Sequence, residues 1–283
     1  MLPLSNSMKP LVPESFTHLY HTPWYEHLDA AQRLRYNRLF GARINEQFVL
    51  FEEGFVQHLV GRLVKLWPEP EMVRALEGLL LEEARHQAMF TALNQRLLPE
   101  LYAGRSRFFT RLSALEMQVL DAMTWSGLLL PALLWLLLAM EELTTALSRA
   151  VLAAAEQHDL EPAYVHTHRM HLRDEERHVC IDQQILEHVL PRLSSARHSL
   201  NAALFRRVWQ SILAPRRSTL VVIRQLVAEY PALQRHEKSM LQAIRALPPR
   251  HAFPGNLVEP ALLPATFAMF ARYPAYGLRG APA

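Results

Sequence analysis

Three side chains of metal-binding type, His171, Glu175 and His178, stand four and three positions apart in the run His-Leu-Arg-Asp-Glu-Glu-Arg-His at 171–178. At 100° per residue this spacing puts all three on one face of a helix, within two turns. A shorter copy, Glu-Glu-Ala-Arg-His, occupies 82–86, and both runs share the pattern acidic-Glu-x-Arg-His. One Glu-x-x-His arises easily on a solvated helix face. Two of them, each inside an apolar helical pattern, point to a shared site in which Glu83, His86, Glu175 and His178 converge on bound metal. Just before each motif glutamate, Glu82 and Asp174 are placed to accept a hydrogen bond from the opposite imidazole and so orient it. Arg85 and Arg177 would balance those charges.

The rest of the chain must supply helices to carry these faces. At 283 residues, 50% hydrophobic and 20% charged, it can bury a sizeable core. Only 9 Gly and little Val/Ile/Thr alternation favour long helices over sheet. A net charge of +3 with arginines spread along the chain gives no basic stripe, so no nucleic-acid partner is expected. The one cysteine, Cys180, excludes an internal disulfide framework and reads as a small buried apolar residue. No signal-peptide pattern stands at the start, and a cytoplasmic location is expected. The stretch from Ala122 to Met140 has no charge, but Thr124, Ser126, Gly127 and Pro131 interrupt it and Glu141 and Glu142 follow. It reads as a buried bundle helix, with no membrane as partner.

In chain order, the proline-containing residues 1–28 read as an arm laid over the body. A helix capped by Asp29 runs to about Leu66, with or without a break at Gly41. Trp67-Pro68-Glu69-Pro70 stops it and restarts a helix to about Leu98. Further helices are expected over Ser106–Met123, Leu128–Gln157 and Pro162–Leu190. Three more follow at about 196–213, 217–229 and 232–246. Prolines from Pro248 onward leave room for a helix only near 265–271. The fold class is therefore all-α: a four-helix bundle over 29–190, accessory helices over 191–247 and a Pro-rich tail over 248–283, in one domain spanning 1–283.

Bundles that hold two metal ions add one Glu from each of the two remaining helices. In an antiparallel pair, two residues share a height when they are equally far from the turn. The point midway between Glu53 and Glu83 is Pro68, in the turn, and Glu53 continues a stripe with Val49, Val56, Val60 and Val64. Glu53 is thus preferred, with Glu52 second, and Glu46 on the same face could support the site from behind. Glu141 and Glu142 are equally well placed against Glu175. Buried carboxylates without partners cost several kcal/mol, so a metal is their natural counter-charge. An oxygen-rich set with imidazoles suits two iron ions, with manganese as the alternative, rather than zinc. Phe48, Phe51, Phe55, Met89, Phe90, Trp135 and Leu138 are candidates to line a pocket beside it.

His-Leu-Arg-Asp-Glu-x-x-His at 171–178 resembles the non-haem di-iron arylamine (p-aminobenzoate) N-oxygenases of the AurF type, within the ferritin-like superfamily. That family adds a third His four residues before the second motif Glu, the place of His171. Glu141 with Thr145-Ala146-Leu147, Glu53 with Leu63-Val64, and Pro162 are similar to the family pattern, over roughly residues 36–190. The loop at Trp67–Pro70 is shorter than the family's, and the turn before Glu161 is longer. The resemblance implies a ferritin-like fold and a metal set of Glu53, Glu83, His86, Glu141, His171, Glu175 and His178, which would also be the catalytic set. It implies O2-dependent oxygenation of an amine substrate to hydroxylamine, nitroso or nitro product in secondary metabolism, with an external electron donor. A homodimer is compatible with this. Di-iron hydroxylation or desaturation at carbon is the enzymatic alternative, and a ferritin-like iron-binding protein the non-enzymatic one; His171 argues against storage.

Overall fold

A computed structural model describes residues 8–110, 114–214, 217–248 and 253–277, and no strand occurs among them. Helix α1 (Ala30–Phe51) starts at a reciprocal cap. Asp29 Oδ1 accepts the Gln32 N–H at 2.9 Å, and Gln32 Oε1 accepts the Asp29 N–H at 3.1 Å. The helix runs unbroken through Gly41, where a Cβ would lie 2.6 Å from Leu11 Cβ, so the missing side chain lets the N-terminal arm pack close. Asn37 clamps the same arm, accepting the Leu11 N–H and donating to the Val12 carbonyl, both at 2.7 Å. The arm folds into short 3-10 turns between Glu14 and Tyr25 that bury Leu11, Val12 and Leu19.

After Phe51 the helix widens into one π-turn, Glu52–Val56, before α2 (Gln57–Leu66). The wider turn displaces every face after it relative to those before. Helix α3 (Pro70–Leu97) starts with proline in its first turn, where no N–H is needed, and the single turn α4 (Pro99–Tyr102) follows. Helix α5 (Ala114–Trp125) starts later than the expected Ser106. The N–H groups of Phe108, Phe109 and Thr110 each donate to the Glu46 carboxylate at 2.7 Å, and Tyr102 Oη donates to it at 2.5 Å. The segment converges on that one carboxylate and is not helical through Thr110. Glu46 therefore braces this loop and does not support the site from behind.

Helices α6 (Leu130–Ala155) and α7 (Pro162–Val189) complete the bundle: α6 lies along α7, α1 and α2 along α3, and α3 along α7. The charge-free stretch at 122–140 is not one helix, because it spans the end of α5, a turn and the start of α6. By length and composition α6 could cross a membrane, but 89% of its most apolar window is buried in protein. Its several faces are covered by α7, by α8 (Ser195–Leu213) and by α11 (Pro264–Arg272), which explains why it is apolar nearly all round. Helix α9 (Arg217–Glu229) packs on α1, and α10 (Glu237–Arg245) packs on α9.

The Pro-rich tail is pinned through Glu142. Its carboxylate, 4% exposed, accepts the N–H groups of Ala265 at 2.8 Å and Thr266 at 2.6 Å, in the first turn of α11. Trp135 stacks on Phe270 and Tyr276 of the same tail, at ring distances of 5.3 and 4.6 Å. Glu142→Ala is expected to strip both N–H groups of their acceptor and to cost about 1–3 kcal/mol. The measurement is a lower melting temperature with metal uptake unchanged.

Candidate metal centre

Three acid pairs, Glu52/Glu53, Glu82/Glu83 and Glu141/Glu142, each send one member inward. Glu83 and Glu141 enter the bundle interior together with Glu175 and His178, each offering one atom within 4.8 Å of the others. Glu52, His86 and His171 form a second such group. All seven are buried, at 2% exposure or less.

Glu53, the sequence-preferred carboxylate, lies outside the cluster: it is exposed and 3.6 Å from Arg107. Glu52, three after Val49 and four before Val56, fits the valine stripe as well as Glu53, four after and three before, and the chain turns Glu52 inward at the first residue of the π-turn. Cys180 is likewise exposed rather than buried.

Glu175 is the hub. Its Oε1 lies 3.1 Å from His171 Nε2, 3.4 Å from His86 Nδ1 and 3.5 Å from His178 Nδ1. Glu83 lies 2.8 Å from His178 Nδ1 and 3.9 Å from His86 Nδ1, and Glu52 lies 3.7 Å from His171 Nε2. The outward nitrogens are held across the pair of helices: His86 Nε2 lies 3.2 Å from Asp174 Oδ2, and His178 Nε2 lies 3.0 Å from Glu82 Oε2. Arg85 and Arg177 contact both of these acids from the solvent side. Each of these two imidazoles thereby keeps Nε2–H on a carboxylate and turns Nδ1 inward.

The electrostatics are those of too many acids in a dry space. Burial, then repulsion from Glu83 and Glu175, pushes Glu52 and Glu141 well above the usual carboxylate range. Burial would raise Glu83 too, but the close His178 and His86 rings outweigh it and lower it. Burial would lower His178, yet its contacts with Glu175 and Glu83 raise it to about 11. His86 is raised by Glu83 against the same burial, while burial and the neighbouring imidazoles hold His171 well below its ordinary value.

The inward atoms fit a cation. Among the described residues, both oxygens of Glu52 and Oε1 of Glu141 and Glu175 are buried without a hydrogen-bond partner, and Nδ1 of His86 and His178 face only the centre's own carboxylates. Such a set is costly as it stands and is satisfied by metal ions. Phe48 and Phe90 cover His171, with rings at 5.3 and 5.2 Å.

A family model described as P-aminobenzoate N-oxygenase AurF matches residues 3–251. The chain belongs to the AurF family. Membership makes it an oxidoreductase of the monooxygenase type, a di-iron N-oxygenase by class, and its all-α bundle is the ferritin-like di-iron fold. An oxygenase of the AurF family acts on an amine with O2. No curated protein matches the chain.

Sequence reasoning missed two features of this AurF-family centre. Asp182, four residues after His178, is 1% exposed with both oxygens unpartnered, and burial pushes its carboxyl well above the usual range. The signal was present, since Asp182 continues the stripe of His171, Glu175 and His178. Ser148 of α6, buried against His168 and His171, carried no such signal.

Proposed function

We propose that this protein oxygenates the nitrogen of an aromatic amine at a di-iron centre held by Glu52, Glu83, His86, Glu141, His171, Glu175 and His178. The observation that carries the reading is the pair of fully buried Glu/His groups meeting at Glu175, in a chain of this family. Glu52, His86 and His171 would hold one iron, and Glu83, Glu141, Glu175 and His178 the other. Iron is preferred to manganese in this reading, and the bound pair supplies the activation of O2.

The chain's own residues perform the supporting work. Glu82 and Asp174 hold the Nε2 protons of His178 and His86, which fixes both rings with Nδ1 inward. Phe48 and Phe90 pack on His171 and keep water from that side of the centre. For the first step, amine, O2, two electrons and two protons give hydroxylamine and water, so an external electron donor is required. Further rounds give nitroso and nitro products.

The test is a panel of primary aryl and alkyl amines, offered with iron-loaded protein, a reductant and O2, with products followed by mass. Aryl amines are expected to gain oxygen at nitrogen. Conversion of alkyl amines alone would overturn the aryl reading.

A further inference from the structure

The three imidazoles of the centre are backed from outside in two different ways. His86 and His178 turn Nε2 onto the carboxylates of Asp174 and Glu82. His171 is turned over: its Nε2 faces Glu52 and Glu175, and its Nδ1 lies 3.2 Å from Ser148 Oγ. The same oxygen lies 3.0 Å from Nδ1 of His168. Ser148 and His168 are both fully buried, and the rings of Phe48, Phe90 and Tyr164 pack against His168 at 5.8, 5.4 and 4.6 Å.

A serine hydroxyl has one proton to give and lone pairs to accept with. If both Nδ1 atoms carried protons, the hydroxyl hydrogen would be left without an acceptor in a sealed place; if neither did, one contact would go unmade. One donor and one acceptor satisfy the hydroxyl and both Nδ1 atoms, while His168 Nε2, buried without a partner among the described residues, is unsatisfied in either tautomer and so does not decide between them. The direction follows from the other end of the ring, because a metal at Nε2 of His171 requires its lone pair there and therefore a proton on Nδ1. His171 Nδ1–H then donates to Ser148 Oγ, and Ser148 Oγ–H donates to His168 Nδ1.

We propose that Ser148 and His168 are positioning residues that hold His171 as the Nδ1-protonated, Nε2-donating imidazole, giving the centre one hydroxyl-backed histidine beside two carboxylate-backed ones. The inference rests on the di-iron reading. It adds that the three histidines bind through different nitrogens, His86 and His178 through Nδ1 and His171 through Nε2. It adds also that the metal nearest Glu52 and His171 depends on a side chain of α6 that touches no metal.

The experiment loads the full-length protein with zinc(II), a diamagnetic stand-in, and follows uptake by calorimetry and the histidine ring nitrogens by 15N NMR. In the wild type, two zinc ions and one Nδ1-protonated, Nε2-metallated histidine are expected. Ser148→Ala is expected to weaken one of the two zinc ions about 10–100-fold, the range typical of removing an outer partner, and to shift the His171 nitrogen signals. Ser148→Thr restores both, and His168→Phe, which keeps a ring in the aromatic surround, weakens the same zinc. Circular dichroism and melting temperature establish that each variant is folded. A wild type that binds no metal would sink the di-iron reading itself. A wild type that binds two, matched in affinity and ring signals by folded Ser148→Ala and His168→Phe, would overturn the positioning role alone.

Discussion

Glu52→Ala is expected to lose one of two bound metal ions and to reduce turnover by more than about 100-fold, beyond the ~10–100-fold cost of removing an outer partner, while Glu53→Ala leaves both nearly unchanged. The two residues are neighbours in sequence and opposite in environment. Glu52 is 1% exposed, lies 3.7 Å from His171 Nε2 and has no hydrogen-bond partner at either oxygen. Glu53 points to solvent beside Arg107 at 3.6 Å, and an exposed ion pair of that kind is worth under about 1 kcal/mol. Metal analysis and initial rates of the two variants side by side read the difference. Equal losses in both would show that Glu52 is not the acid of this pair that enters the centre.

The metal-free protein is expected to lose stability as pH rises above neutrality, and metal loading to reverse the loss while releasing protons. The sign comes from where protons sit in the folded chain. Glu52, Glu141 and Asp182 have carboxyl values raised by burial above 4.5, 4.5 and 3.8, and His86 and His178 are raised above 6.5, the latter to about 11. A raised group binds its proton more tightly folded than unfolded. Its contribution is complete below the unfolded value and is lost as pH climbs through the folded one. Glu83 and the buried His18, His168 and His171, whose values are lowered, work the other way and add stability as pH rises to about 6.5. The net decline is therefore expected above neutrality, continuing toward pH 11 with His178. Each unit by which a group is raised corresponds to about 1.4 kcal/mol.

Metal ions take the place of those protons, so uptake should tighten with rising pH and acidify an unbuffered solution. At free metal about 1,000 times Kd, the loaded protein should gain about 4 kcal/mol of stability. Asp182→Asn removes one raised carboxyl and should flatten the metal-free pH profile. Denaturant unfolding at several pH values, with and without metal, checks the whole set. A metal-free protein that gains stability between about pH 7 and 10 would contradict it.

Much of this molecule is readable in its residues because local rules and tertiary packing agree. Asp29 and Gln32 cap α1, Pro70, Pro131 and Pro162 sit in first turns, and the apolar periods end where the helices end. The two Glu-x-x-His runs place four inward side chains by spacing alone. Where reading by period failed, a specific long-range contact or a break in helical geometry decided. The inward position falls on Glu52 and not Glu53, at the first residue of the π-turn, where spacing alone does not separate the two. Glu142 could not be separated from Glu141 by height along the bundle, because what separates them is the cap on α11, a contact with a distant part of the chain. The non-helical segment through Thr110, expected as helix, is likewise held by a distant side chain, Glu46. Ser148 depends on the register of α6 against α7, which no local pattern encodes.

The central claim is that the buried Glu/His cluster holds two irons and directs oxygen to an amine nitrogen. The most direct measurement loads the protein anaerobically with iron(II), counts the bound ions, and then admits isotope-labelled O2 with a 15N-labelled arylamine and a reductant. Two irons per chain and labelled oxygen bonded to the labelled nitrogen are predicted. A protein that binds no iron, or that binds two and places the oxygen on carbon alone, would contradict the account.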